Sequence, residues 1–308
     1  MFSRNFIERL ILMLIGSYLT FYVSSKLLNN EKDLFGISSE CKEVEELNKW
    51  LLKNNRNVQL DAKYLNEYER NHLNNLEIPE GNLSDFKEVI GHERIKNTLI
   101  KIVKSDTKPN GIILYGPPGT GKTSLVKSLA KTMNTLLLNI SSSSIESKLF
   151  GDSTKNIKGI FTFAKKIKPC IVFIDELDGI AGNRSLMDQS HTTTMKTELM
   201  SCIDGYNSKD NDILVIGATN MIQNIDPAIS RRMRMHISIN APTAKDMTDY
   251  LSNFMSKDTD EFVKLIESFV SKGVTFSDIH QLITLCQIEH SKVDFTTLKE
   301  TLEGFSFL

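Results

Sequence analysis

Apolar residues follow three different rhythms along this chain, and each rhythm predicts a different element. Between Leu10 and Val23 they run without a charge, as Leu-Ile-Leu-Met-Leu-Ile-Gly-Ser-Tyr-Leu-Thr-Phe-Tyr-Val. Counted from Phe6 to Ser25, with Glu8 and Arg9 reaching to the interface, the stretch approaches the roughly 20 residues a helix needs to cross a bilayer. A cleavable signal peptide competes for the same start, but no small-x-small cleavage site follows it. Farther on, three short apolar runs end in polar residues: Gly111-Ile112-Ile113-Leu114-Tyr115, Ile171-Val172-Phe173-Ile174, and Ile213-Leu214-Val215-Ile216-Gly217-Ala218-Thr219. Uninterrupted runs of this length predict buried strands of a parallel sheet. Helical spacing takes over elsewhere, at Val44, Leu47, Trp50, Leu51 and Leu52, at Tyr64, Leu65 and Tyr68, and at Phe262, Leu265, Ile266 and Phe269. Each set predicts a helix with one apolar face.

Together these rhythms give an α/β class in which a parallel sheet lies between helices. Of 308 residues, those beyond the apolar start suffice for one α/β domain and a small partner. The expected layout is a membrane anchor at 1–26, a mostly helical linker region at 27–80, a large α/β domain at 81–240 and a small helical lid at 241–308. A ligand would lie where the last two meet.

The polar residues that follow the strands carry the chemistry. After the first strand comes Gly116-Pro117-Pro118-Gly119-Thr120-Gly121-Lys122-Thr123, then Ser124. Glycines let successive backbone N–H groups converge on a phosphate, and a helix beginning near Lys122 aims its positive end at the same point. Lys122 supplies a mobile cation for β and γ phosphates, and Thr123 offers a hydroxyl to Mg²⁺. The second strand ends in Asp175-Glu176. Asp175 is placed to hold the metal through its water shell, and Glu176 to polarise an attacking water. The third runs into Asn220, whose amide can bond both that water and the γ-phosphate. Next, Ile225-Asp226-Pro227-Ala228-Ile229-Ser230-Arg231-Arg232-Met233-Arg234 carries three arginines with no neutralising acid close behind them. Because Lys122 and Mg²⁺ already serve the local phosphates, these guanidiniums suit a neighbouring subunit's nucleotide, which implies a ring.

In this order, GPPGTGKT, FIDELDGI, GATN and IDPAISRRMR resemble the landmarks of an AAA ATPase, from Leu65 to the C-terminus. LNEYERNHL at 65–73, IPEGNLSDFKEVIG behind it and TTMKTELMSCIDGY at 193–206 narrow the likeness to the membrane-anchored dislocases of the mitochondrial outer membrane, which remove mislocalised tail-anchored proteins. The resemblance implies a P-loop NTPase domain of AAA+ type, a helical lid, a homo-hexamer and a polypeptide threaded through its pore. It implies that Arg231 and Arg232 are the finger pair, that Leu149 and Phe150 form the gripping pore loop, and that a second pore loop falls within Gly182 to Thr193. Leu149 stands where the family carries a larger ring. Gly273-Val274-Thr275-Phe276-Ser277-Asp278-Ile279 resembles the nucleotide-sensing helix start G-x-S-G-x-D, which brings Ser277 to the nucleotide while Phe276 replaces a glycine. Val89-Ile90-Gly91-His92 likewise departs from Asp-Ile-Gly-Gly-Leu near the base. Val293 to Leu308 resembles the last helix that contacts the next subunit. Client proteins are expected to be tail-anchored or other membrane proteins, in the mitochondrial outer membrane or peroxisome. A microtubule-severing relative and a non-hydrolysing, nucleotide-dependent membrane scaffold are the alternatives.

Charge and composition narrow this further. With 37 basic against 38 acidic residues, net −1, no basic excess points to nucleic acid. Cys41, Cys170, Cys202 and Cys286 have no paired spacing for zinc or disulfides. The six histidines include no His-Glu-x-x-His, which leaves no zinc peptidase. Arg4 and Arg9 before the apolar start balance Lys26, Lys32 and Lys42 after it, so orientation follows from where ATP is, which puts the region beyond Lys26 in the cytosol.

Overall fold

The computed structural model describes residues 42–56, 58–79, 86, 89–145, 152–182, 189–207, 212–255, 260–290 and 293–304. The expected membrane anchor lies outside them. So do Leu149 and Phe150, the residues expected to form a pore loop, and the stretch 183–188 of the expected second pore loop. No helix among the described residues is long and apolar enough to cross a membrane. Chain contacts divide the protein after Asn66 into two compact units.

In the first unit, helix α1 spans 42–53. Val44, Leu47, Trp50 and Leu51 are buried along one face, as the spacing predicts, and Arg56 lies 4.5 Å from the centroid of the Trp50 ring. Leu52 and Tyr64 depart from that expectation, being 67 % and 82 % exposed. Leu52 follows two buried neighbours, and the 100° advance per residue carries it off their face.

The second unit begins with α2 (Glu67–Arg70) and β1 (Leu76–Glu77), then α3 (Glu93–Lys104) and β2 (Ile112–Tyr115). It continues through α4 (Lys122–Thr132), β3 (Leu136–Ser141), α5 (Ser142–Ile145), α6 (Asp152–Ile167), β4 (Cys170–Asp175), α7 (Leu177–Ala181) and α8 (Gln189–Asn207). Then come β5 (Ile213–Thr219), α9 (Pro227–Arg232) and β6 (Met235–Ser238), followed by α10 (Ala244–Leu251), α11 (Asp260–Lys272), α12 (Phe276–His290) and α13 (Phe295–Gly304).

The strands form one sheet in the order β1-β3-β4-β5-β2-β6. Every pairing from β3 to β6 is parallel, and β1 pairs antiparallel with β3. The sheet is therefore mixed, which corrects the expected all-parallel sheet: Leu76 and Glu77, inside the stretch expected to be linker, add a two-residue antiparallel edge. Asn139 of β3 ties that edge down by donating from Nδ2 to Glu77 Oε1 at 2.7 Å.

Alternation along the strands builds the core. Ile112, Leu114, Leu137, Ile171, Phe173, Leu214 and Ile216 join Leu99 and Ile102 of α3 and Leu125, Val126 and Leu129 of α4 in one buried cluster. The intervening strand residues face the other side of the sheet, where Ile157, Ile160, Phe161 and Phe163 of α6 are also buried. The segment around α2 fastens α6: Tyr68 donates to Asp152 Oδ1 at 3.0 Å, the buried Glu69 pairs with Lys166 at 2.7 Å, and His72 Nε2 lies 3.2 Å from the Asn156 carbonyl. Burial lowers the His72 pKa, and the bond to Asn156 opposes that shift.

A separate apolar cluster joins the last four helices through Met247, Leu251, Phe262, Ile266, Phe269, Ile279, Leu282, Ile283 and Leu298. Two of these helices begin in the same way. Thr243 and Asp246 form a capping box on α10. Before α12, Thr275 donates both its backbone N–H and its hydroxyl to Asp278 Oδ2, at 2.8 and 2.7 Å. Such reciprocal caps satisfy first-turn donors and fix where each helix starts.

Candidate functional site: a phosphate cradle beneath a helical lid

The carboxyl ends of three parallel strands lie side by side, because Tyr115 of β2 pairs with Thr219 of β5 and Ile174 of β4 pairs with Gly217 of β5. Open α/β sheets bind ligands at this edge. The loop 116–121 leaves β2 here and re-enters as α4, whose Ncap is Gly121 at φ 89°. Gly116 fits only without a side chain, since a Cβ there would lie 1.9 Å from the Ile239 carbonyl oxygen. Thr120 is buried and locks the turn by donating to the Pro117 carbonyl at 2.9 Å.

Lys122 is 8 % exposed. Its ammonium donates to the carbonyls of Gly116 and Pro117, both at 2.8 Å, and to Asn220 Oδ1 at 2.7 Å. Burial lowers its pKa, and the charges of Asp175 and Asp178 oppose that shift. Asn220 is thereby oriented, carbonyl oxygen to lysine, with its amide N–H groups free to donate elsewhere. Thr123 donates to Asp175 Oδ2 at 2.6 Å, and Asp175 Oδ1 accepts from the Glu176 N–H at 2.9 Å. A hydroxyl and a carboxylate this close are hard oxygen ligands of the kind Mg²⁺ takes with nucleotide phosphates. Glu176 has left-handed backbone, φ 51° and ψ 47°, where a non-glycine residue is strained. That conformation turns its exposed carboxylate towards Ser142, whose hydroxyl donates to Oε2 at 3.3 Å.

These groups line one cavity of about 820 Å³, within the range of small-molecule sites. Its phosphate end carries Pro118 through Ser124, Asp175, Glu176 and Asn220, and its other end carries Val89, Ile90, Tyr250, Phe276 and His280. The ring of Phe276 meets Tyr250 edge-on, with centroids 5.6 Å apart, and the Tyr250 hydroxyl lies 3.1 Å from His280 Nδ1. Burial raises the Tyr250 pKa. Ser277 lines the cavity too, and its N–H donates to the Gly119 carbonyl at 3.3 Å. The lid is thus tied directly to the phosphate loop.

The structure therefore brings together Gly119, Thr120, Gly121, Lys122, Thr123, Ser124, Asp175, Glu176, Asn220 and Ser277, with Gly116 and Pro117 as acceptors behind them. Neither Arg231 nor Arg232 lines this cavity. Both stand at the end of α9, which Asp226 caps by accepting from the Ala228 N–H at 2.9 Å. The expectation of three unneutralised arginines needs correcting. Arg232 donates from Nε to Asp204 Oδ2 at 2.7 Å and from a terminal nitrogen to the Ala228 carbonyl at 3.0 Å. Asp204 lies 28 positions earlier, on α8, where sequence proximity could not reveal it. Arg231 and Arg234 are exposed, and among the described residues neither has an ionic partner.

The sequence reading missed Ser142, Tyr250 and His280. The serine run 141–144 after an apolar stretch could have signalled the first. The other two come from lid helices whose approach only the fold shows. Cys170, Cys202 and Cys286 are buried free thiols. Burial, then Glu198, pushes Cys202 up to about 12.

Residues 112–243 match the family model described as ATPase family associated with various cellular activities, AAA. The outer mitochondrial transmembrane helix translocase of Danio rerio is 33 % identical over 243 residues, covering 74 % of this chain and 64 % of that protein. Its Homo sapiens namesake is 34 % identical over 203 residues, covering 65 % and 56 %. A spastin homolog of Caenorhabditis elegans is 36 % identical over 198 residues, covering 60 % and 39 %. The chain thus spans less than two thirds of these relatives. Among solved structures, the FIGL-1 AAA domain superposes with a TM-score of 0.66 at 25 % identity, over 80 % of this chain and 91 % of that one. The same domain in complex with ADP gives 0.61, also at 25 %, over 75 % and 87 %.

Proposed function

The chain carries an AAA ATPase domain, and from that premise we propose that it is a membrane-tethered, ATP-driven translocase that pulls mislocalised tail-anchored or other membrane proteins out of the mitochondrial outer membrane, or the peroxisomal one. One observation carries the nucleotide part: Lys122, Thr123, Asp175, Glu176 and Asn220 converge at a single sheet edge under a lid bonded to the phosphate loop. Similarity to the named translocases supports the rest.

In this reading the N–H groups of 119–123 and the α4 N-terminus take the phosphates, and the Lys122 ammonium turns from its carbonyl acceptors towards the β and γ oxygens. Thr123 and, through water, Asp175 would hold Mg²⁺, which would supply positive charge against the phosphate oxygens. Glu176, aimed by Ser142, accepts a proton from the attacking water, which the Asn220 amide orients. The homo-hexamer supplies Arg231 and Arg232 to the neighbouring site, and Leu149 and Phe150 grip the client in the central pore. The N-terminal helix crosses the bilayer once, with the ATPase in the cytosol. Drawing out a helix of ~20 apolar residues at ~0.3–0.6 kcal/mol each costs on the order of 10 kcal/mol. Repeated turnovers therefore suit the load better than one stroke.

The test is the protein in liposomes with a labelled tail-anchored client. ATP should release the client, and Phe150→Ala should stop release while sparing hydrolysis. Hydrolysis with no release from wild type would sink extraction of that client. Likeness to the spastin homolog favours a second reading, microtubule severing, which taxol-stabilised filaments would test in the same preparation. Glu176→Gln separates both from a scaffold: a motor loses function, whereas a scaffold keeps it.

A further inference from the structure

His92 breaks two local rules at once. It is the Ncap of α3, where a short side chain ordinarily turns back to accept from first-turn N–H groups, yet it makes no capping bond. Its backbone is left-handed, φ 58° and ψ 27°, directly after Gly91 at φ 77°, and that conformation costs any residue with a Cβ. The ring leaves its own helix for the phosphate loop instead, where Nε2 lies 3.3 Å from the Thr120 carbonyl oxygen. A carbonyl only accepts, so Nε2 is the donor. Backbone strain of this kind collects at functional sites. We propose that His92 is a positioning residue for nucleotide binding, which pins the Thr120 carbonyl so that the Gly121 N–H is presented to the nucleotide's phosphates.

The inference rests on the nucleotide reading above and deepens it by naming what orders the loop. Two successive loop carbonyls are each taken by an outside donor, Gly119 by the Ser277 N–H and Thr120 by His92, both at 3.3 Å. In a planar trans peptide the N–H points opposite to the C=O. Holding these two carbonyls therefore turns the N–H groups of Thr120 and Gly121 away from the donors, to the side that takes phosphate. Gly121 needs such a hold: glycine accepts either sign of φ, and a Cβ at Gly121 would meet nothing within 4 Å, so sterics leave its peptide plane free to turn. The arm that carries His92 is itself backed by the lid, since a Cβ on Gly91 would lie 2.9 Å from Oδ1 of Asp246 in the α10 capping box. The ring cannot retreat on that side without displacing α10.

The full chain in detergent micelles, as wild type, His92→Gly and His92→Gln, tests this through two readouts: affinity for ATP and for inorganic tripolyphosphate by equilibrium titration, and thermal unfolding without ligand. His92→Gly relieves the left-handed strain and deletes the donor. Its unfolding temperature should stay within ~2 °C of wild type, while both affinities fall about three- to tenfold. The two losses should be equal, because the Gly121 N–H meets phosphate and not the base. His92→Gln carries an amide nitrogen at about the reach of Nε2 and should recover most of the affinity. Unchanged affinities in His92→Gly would overturn the proposal. So would a loss for ATP alone, which would place His92 at the base, and so would a joint fall in affinity and unfolding temperature that His92→Gln does not rescue, which would make the residue merely structural. Wild-type protein that binds neither ligand would sink the nucleotide reading and the proposal with it, and that result alone touches both.

Discussion

The two ends of the nucleotide cavity are built on different principles. At the phosphate end each group has a fixed partner: Lys122 has three acceptors within 2.8 Å, and Thr123, Asp175 and Glu176 are chained by hydrogen bonds. At the lid end the walls are Val89, Ile90, Tyr250 and Phe276, held by packing and one side-chain hydrogen bond. Charge stabilisation demands particular atoms at particular places, whereas the flat faces of a base demand a slot of the right width. Substitutions at the first end should therefore cost more than substitutions at the second.

Inorganic tripolyphosphate and ATP make this difference measurable, because the first engages only the phosphate end. Lys122→Ala should weaken both by tenfold or more, since a charge-assisted contact to phosphate contributes roughly 1.5–3 kcal/mol. Equilibrium titration with a fluorescent analogue and with tripolyphosphate as competitor would show it. Glu176→Gln should bind both ligands normally yet lose about 10²–10⁴-fold in turnover. A Glu176→Gln protein that hydrolyses ATP at the wild-type rate would remove that carboxylate from the chemistry.

Gly119 is where the two ends touch. Its φ is 72°, and a Cβ there would lie 2.5 Å from Thr275 Oγ1. Gly119→Ala combines left-handed strain, roughly 1–2 kcal/mol, with displacement of the α12 start. Affinity for ATP should fall about tenfold, and tripolyphosphate binding less. Equal losses for both ligands would mean that the loop alone had been distorted and that the lid contributes little.

The same contrast explains what could be read from the sequence. Strands ending in Asp175 and Asn220, and the loop that begins at Gly116, were legible because local spacing encodes them and the fold merely brings their ends to one edge. Edge strands β1 and β6 were not. Two residues cannot show a period, and the alternation in Met235–Ser238 is only partly buried. Arg232 misled for a related reason, since its acid comes from α8, 28 residues away. Phe276 was conspicuous as a departure, but its partners Tyr250 and His280 approach through helix packing that no local pattern records.

Phe276→Ala should open the slot. It removes the ring that meets Tyr250 edge-on, and aromatic pairs of this kind contribute about 0.5–1.5 kcal/mol. ATP affinity should fall a few-fold while tripolyphosphate binding holds, and discrimination between ATP and GTP should narrow.

Tyr250→Phe should do least, and for that reason it divides the lid's contribution most finely. The substitution keeps the ring, its contact with Phe276 and its contact with Phe254, whose centroid lies 5.8 Å away. It deletes only the hydroxyl that meets His280 Nδ1. His280 is exposed, so water replaces the lost partner, and the net cost is about 0.5–1.5 kcal/mol at most. If the Tyr250–His280 bond merely steadies the wall, ATP affinity should drop about two- to threefold and the preference for ATP over GTP should not move. A changed preference with little change in affinity would mean instead that the bond fixes which edge of the base His280 meets, and the lid would then read the base as well as enclose it.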